Sequence, residues 1–159
     1  MSQFYESDGV MKGIVALLVL LLVQGCSTPS VILDVSSGKA LNQDSLGQDY
    51  SVLVRLYQLT VPDYFEVADY HTLLLGDASS LEGSLLAVEE FIVEPGRDYV
   101  FQYKREEGAE YKAVAAFYRQ VEGDSWRTLS PLENGVLSPM TTRTKIRLTD
   151  NRIQVIGKQ

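Results

Sequence analysis

Residues 146–155 read Ile-Arg-Leu-Thr-Asp-Asn-Arg-Ile-Gln-Val, and this stretch decides the fold class. Apolar and polar residues alternate on both sides of Asp150-Asn151, which is the period of a half-buried strand and not of a helix. A two-residue turn at Asp150-Asn151 sets Thr149 opposite Arg152, Leu148 opposite Ile153 and Ile146 opposite Val155. The four apolar residues then share one face, and Arg147 and Gln154 pair on the other. A slip of one residue would turn the apolar set out to water, so the pattern itself specifies the register.

Upstream of this hairpin the same alternation recurs between breakers. Pro131 to Pro139 is a loop, and Tyr111 to Val121 is a strand with Tyr111, Ala113, Ala115 and Phe117 in phase. Asp98 to Lys104 alternates strictly, with Tyr99, Phe101 and Tyr103 on one side. Leu85 to Glu94 ends at the turn dipeptide Pro95-Gly96. Tyr50 to Leu59 is the clearest core strand, with Val52, Val54 and Leu56 on one face and Leu53, Tyr57 and Leu59 on the other. Val31 to Val35 is a short β-rich run, followed by a polar, small-residue segment from Ser36 to Asp49 that reads as a long loop.

One helix interrupts the strands. It follows Pro62, with Asp63 and Glu66 at capping-box spacing, an apolar stripe of Phe65, Ala68, Leu74 and Leu75, and a stop at Gly76. Seven or eight short strands with one helical insertion predict a mainly β protein, a β-sandwich.

The N-terminus sets the compartment. Ten apolar residues, Ile14 to Val23, lie directly ahead of Gln24-Gly25-Cys26-Ser27. That run suits a secretory signal and falls short of the ~20 residues a membrane span needs. Cys26 is the single cysteine, so no disulfide partner explains it. Gly25-Cys26 resembles a bacterial lipobox, in which diacylglycerol joins the sulfur before cleavage and an N-acyl group is added to the new terminus. An ordinary signal peptide would instead leave an unexplained thiol at the mature end. The basic residue of the signal is Lys12, while Glu6 and Asp8 lie ahead of it, so Met11 is the expected start. Ser27 after the cysteine resembles the class of bacterial lipoproteins delivered to the outer membrane. The expected organisation is a signal peptide (1–25), a lipidated cysteine and tether (26–30), and one β-sandwich domain (31–159).

The whole chain carries a formal charge of −7, and without residues 1–25 it keeps thirteen basic and nineteen acidic residues, a charge of −6. An acidic domain has no electrostatic footprint for nucleic acid. Membrane attachment therefore rests on acyl chains, of which two or three hold stably. The catalytic inventory is thin. His71 is the one histidine, expected on the surface or in packing, and no nucleophile elbow, phosphate loop or metal-ligand spacing occurs. Neither a catalytic nor a metal site is expected.

Three apolar groups admit two readings each. Tyr99, Phe101 and Tyr103 form either half of the core, the favoured reading, or a platform for a small ligand or glycan. Trp126 either plugs the end of the sandwich or touches a partner. Leu41 and Leu46 either cap the core or anchor an interface from the long loop.

The order of landmarks resembles one family. Cys26 in its lipobox is followed by Leu41-Asn42, by Val54-Arg55-Leu56-Tyr57-Gln58-Leu59, and by Phe65 with Ala68-Asp69 and Leu73. Then come Glu94-Pro95-Gly96, Ala115-Ala116-Phe117-Tyr118-Arg119 and Trp126-Arg127. This resembles the type VI secretion outer-membrane lipoprotein family (TssJ, SciN-like). The resemblance implies a transthyretin-like sandwich of two four-stranded antiparallel sheets with a small helical insertion. It also implies attachment to the periplasmic face of the outer membrane, no enzymatic activity and no cofactor beyond the acyl groups on Cys26. The implied partner, within a multimeric membrane core complex, is the periplasmic C-terminal domain of the inner-membrane TssM component. The loop between the first two strands would hold it, here through Gly38, Lys39, Ala40, Leu41, Asn42, Gln43 and Asp44.

Overall fold

The C-terminal hairpin forms in the expected register. In the computed structural model, which describes residues 28–76, 78–135 and 140–158, Thr149 pairs with Arg152, Leu148 with Ile153 and Ile146 with Val155. Ile146 and Leu148 are fully buried, whereas Val155 stays half exposed because its strand is the last in the sheet. Cys26 and the signal segment lie outside the described residues.

Eight strands are formed: β1 (Ser30–Leu41), β2 (Val52–Leu59), β3 (Leu85–Val93), β4 (Asp98–Lys104), β5 (Tyr111–Phe117), β6 (Arg127–Pro131), β7 (Thr142–Asp150) and β8 (Arg152–Lys158). They make two four-stranded sheets, ordered β4-β1-β7-β8 and β3-β2-β5-β6. Every pairing is antiparallel except β1 with β7. The core lies between the sheets, with Val31, Leu33 and Val35 of β1 and Val52, Val54 and Leu56 of β2 at its centre.

The first strand is much longer than the apolar run Val31 to Val35. It reaches Leu41, because Ser36 pairs with Asp98 and Arg147, and Leu41 with Asp150. A register shift lies between Ser37 and Leu41. Gly38 permits it: a Cβ there would sit 2.9 Å from Thr149 Oγ1 and 3.3 Å from the Ala40 carbonyl oxygen. Polar strand residues facing outward carry no periodic apolar signal, so the sequence reads as loop where the backbone is paired. The loop itself therefore begins at Asn42.

The expected single helix is two. Helix α1 spans Asp63–Val67 and α2 spans Tyr70–Leu74, with Ala68 between them in an extended conformation. The capping box at Asp63 and Glu66 does not form; Pro62 takes the N-cap position of α1 and makes no side-chain cap. Asp69 caps α2 instead, accepting from the Thr72 amide at 2.9 Å and its hydroxyl at 2.6 Å. Leu73 is the buried residue of α2, and Leu75 is exposed. Gly76, with φ 73°, does end the element.

Breaking the helix frees carbonyls that two arginines collect. Arg127 donates to the Phe65 and Ala68 oxygens at 2.9 Å and to that of Glu66 at 3.1 Å. Arg55 donates to the oxygens of Leu73 and Leu74 and pairs with Glu90 at 2.8 Å. Helix C-terminal carbonyls lack intrahelical partners and attract cations, so each guanidinium fastens a short helix onto the outer face of the β3-β2-β5-β6 sheet. The lid so formed covers Tyr57, which meets Phe65 at 5.4 Å, and leaves β5 buried on both faces. Trp126 is buried against Tyr70, at 5.1 Å, and Phe117, at 6.3 Å. It is a plug.

Candidate partner-binding loop

Residues 42–51 leave the end of β1 and return into β2. Asn42 starts the loop with φ 52°, a left-handed conformation that asparagine tolerates better than most residues. Its side chain is buried. Nδ2 donates to the Ser51 oxygen at 2.6 Å, and Oδ1 accepts from the Arg119 amide at 2.7 Å. Its own amide donates to the Asp150 oxygen at 2.9 Å. One residue thus ties together the two ends of the loop, the connection after β5 and the β7–β8 turn.

Asp44 organises the tip. Its carboxylate accepts from the Leu46 amide at 2.9 Å, the Gln48 amide at 3.0 Å and the Tyr50 hydroxyl at 3.0 Å. The Gln48 amide is the main cause holding this carboxyl below the usual carboxylate range; desolvation opposes it, and Leu46, Tyr50 and the Arg119 charge add to the lowering. Asp49 accepts from the Gln43 amide group at 2.9 Å and from the Leu41 backbone amide at 3.2 Å. Arg119 stacks over the Tyr50 ring at 4.4 Å. These bonds shape the loop before any partner arrives.

The two leucines part company here. Leu41 is fully buried in the core, while Leu46 is 91% exposed at the tip. Lys39 and Ser45 to Asp49 are exposed; Gln43 and Asp44 in the loop, and Gly38 and Ala40 in the strand, are half-buried. Leu46 is a candidate anchor from sequence, whereas the stacking of Arg119 on Tyr50 carries no sequence signal. A readable signal exists in Asp44-Ser45-Leu46-Gly47, an aspartate followed by a glycine with φ 76°, as a side-chain-closed turn requires.

The chain enters the sandwich at the opposite end. Ser30 pairs with Lys104 at the start of β1, and Leu41 closes its far end. At ~3.3 Å per residue the strand separates tether and loop by roughly 35 Å. The β3–β4 turn, the β5–β6 connection and the β7–β8 turn share the loop end.

The other candidate residues are accounted for. Tyr99, Phe101 and Tyr103 face inward and pack on the core, with Phe101 3.9 Å from the Phe91 ring, so they are core and not a platform. His71 is exposed on α2 and touches Tyr70 edge-on at 5.6 Å. Among the described residues no group of three or more His, Cys, Asp or Glu side chains could hold a metal, and no helix is long and apolar enough to cross a membrane.

Residues 29–151 match the type VI secretion lipoprotein family (VasD, EvfM, TssJ). No match is found among curated proteins. Among solved structures, the type VI lipoprotein TssJ1 from Pseudomonas aeruginosa is 25% identical with a TM-score of 0.73, covering 82% of this chain and 96% of that one. A chain of a structure described as a type VI membrane complex is 26% identical, with a TM-score of 0.72 and coverage of 82% and 100%. A chain of a structure described as the TssM C-terminal domain from EAEC shares the fold at 24% identity, TM-score 0.67 and coverage of 80% and 98%. The family match spans most of the chain, and the overall fold is similar to that of TssJ1: this protein belongs to the type VI secretion lipoprotein family.

Proposed function

We propose that this protein is held at the periplasmic face of the outer membrane by acyl groups on Cys26 and docks the periplasmic C-terminal domain of a TssM-type inner-membrane protein through its β1–β2 loop. The observation that carries this reading is the placement of an exposed leucine, Leu46, on a hydrogen-bonded turn at the end of β1 farthest from the tether. A single apolar side chain on a rigid support suits insertion into a pocket, because little ordering entropy remains to be lost on binding. The contact surface proposed from sequence, Gly38 to Asp44, shifts accordingly. Lys39, Gln43 and Asp44 stay in it, Ser45 to Gln48 join it, and the buried pair Leu41 and Asn42 support it from below.

Deleting residues 38–44 would therefore unfold the end of β1 and test nothing about docking. The useful variant is Leu46→Asp, which touches only the exposed tip. It should leave the urea midpoint unchanged and abolish co-purification with the TssM periplasmic domain; full retention of binding would place the contact elsewhere. Cys26→Ser tests the anchor. That variant should fold, lose the mass of the acyl groups and leave the membrane fraction, and continued sedimentation with membranes would overturn lipid anchoring.

A further inference from the structure

Charge is segregated between the two flat sides of this sandwich. The outer face of the β4-β1-β7-β8 sheet carries Lys145 and Arg147 on β7 and Arg152 on β8, all exposed. None of the three is in an ion pair among the described residues; the exposed carboxylates of that sheet are Asp98 at its far edge and Asp150 at the end of β7. Arg143 on the same face is already neutralised by Asp34 at 2.8 and 3.0 Å. The opposite side is the helical insertion, where Asp63, Glu66, Asp69 and Glu82 are exposed and in no ion pair among the described residues. Its arginines, Arg55 and Arg127, are committed to helix carbonyls, Glu90 and Asp124. Both sides also expose apolar residues: Val100 and Ile156 on the sheet, Val67 and Leu75 on the insertion.

We propose that these two sides are halves of one interface, the basic sheet face of one copy packing against the acidic helical insertion of the next. Apolar contacts rimmed by opposite charges are the composition of a protein–protein interface. Because the two patches differ and lie on opposite sides, the contact is front-to-back, so copies add in series and either close into a ring or continue. The basic patch lies on β7 and β8 and the acidic one over β2 and β6, so both are on the flat sides of the sandwich and neither is at its tether or loop end. Lateral association therefore leaves every tether at one end and every β1–β2 loop at the other. Confinement of anchored chains to a membrane surface raises their effective concentration, so the contact need not be strong in dilute solution. The common orientation rests on anchoring at Cys26; the contact itself does not.

The test is disulfide cross-linking of the full chain in membranes of a bacterial host that lacks other secretion components. Gln154→Cys places a thiol on the basic face and Val67→Cys places one on the insertion, both at exposed positions. Mild oxidation of the doubly substituted chain should give a ladder of multimers, and each single substitution should stay monomeric. Lys145→Glu with Arg147→Glu should abolish the ladder, and adding Asp63→Lys with Glu66→Lys in the same chain should restore it. Dimers from Gln154→Cys alone, no ladder, a ladder indifferent to charge reversal, or cross-links that appear only with an acidic partner protein would each overturn the proposal. The parent chain is the control for anchoring, since an acylated Cys26 cannot cross-link. Disulfide dimers of the parent would refute acylation, and the ladder would then be read on a Cys26→Ser background.

Discussion

Replacing Asn42 with alanine should be among the most damaging single changes outside the core, and its cost can be assembled from the structure. Two side-chain hydrogen bonds disappear, to the Ser51 oxygen at 2.6 Å and from the Arg119 amide at 2.7 Å. Both partners are part-buried, so each loss costs about 1–1.5 kcal/mol, at the lower end of the range for an orphaned group. Alanine must also hold φ 52°, which adds about 1 kcal/mol for a residue with a Cβ in the left-handed region. The sum is about 3–4 kcal/mol, a large part of the 5–15 kcal/mol typical of a domain. With a urea m-value of about 2 kcal/mol/M the midpoint should fall by about 1.5–2 M. Asn42→Gly removes the same bonds without the dihedral penalty and should be milder by about 1 kcal/mol. Equilibrium urea unfolding of both variants checks the sum, and hydrogen exchange at the Arg119 amide checks the local cause. A shift under about 0.5 M for alanine, or equal shifts for the two variants, would refute the reasoning.

Arg127→Met keeps the stem of the side chain but strands the oxygens of Phe65, Glu66 and Ala68. It should destabilise by about 2–4 kcal/mol, and exchange should quicken in residues 63–74 before the sheets open; uniform quickening would contradict the lid's dependence on this residue. Acid should weaken the fold partly through Asp34. The Arg143 hydrogen bonds chiefly hold this carboxyl below the usual range; desolvation opposes them, and the Arg143 and Lys145 charges add to the lowering. A depressed folded-state pKa adds stability above the unfolded value of about 3.9 and loses it as pH falls through the folded value. The stability difference between parent and Asp34→Asn, measured by urea midpoints, should therefore be largest near neutrality and shrink below about pH 4. A difference independent of pH would dismiss the pair as a source of acid sensitivity.

What the sequence disclosed was whatever periodicity encodes. The 146–155 hairpin, β2 with its two apolar faces and the Tyr99–Phe101–Tyr103 stripe were legible, because burial on one face writes an alternating pattern. The second half of β1 was not. Beyond Val35 the strand is held by pairing of Ser36 with β4, of Ser36, Ser37 and Leu41 with β7, and by the room Gly38 leaves for Thr149, and none of these leaves a mark in hydropathy. The helix break at Ala68-Asp69 was hidden for a similar reason. Its cause is a cap at Asp69 and an arginine sixty residues downstream, and an i to i+3 pattern cannot report a tertiary partner. Of the loop, its position and its glycine were readable. The convergence of two amides and one hydroxyl on Asp44, and the stacking of Arg119 on Tyr50, required coordinates.

The path of β1 matters most under the proposed bridging role. A protein held at Cys26 and gripped at the β1–β2 loop would be pulled at the two ends of one strand, Ser30 and Leu41. Tension then runs along the covalent backbone of β1, and no ladder of hydrogen bonds has to shear for the load to pass. The rest of the sandwich serves a different purpose. β4 and β7 flank β1 on both sides, so the strand cannot peel from an edge, and Asn42 fastens its far end to the β5–β6 and β7–β8 connections. A partner site on a loop near the N-terminal end of β1 would leave the strand unloaded, and one on β8 would place an edge strand under peeling force, where bonds open one at a time. Of the loops at the far end, the β1–β2 loop alone continues directly from the tethered strand, which is a mechanical reason for docking to reside there.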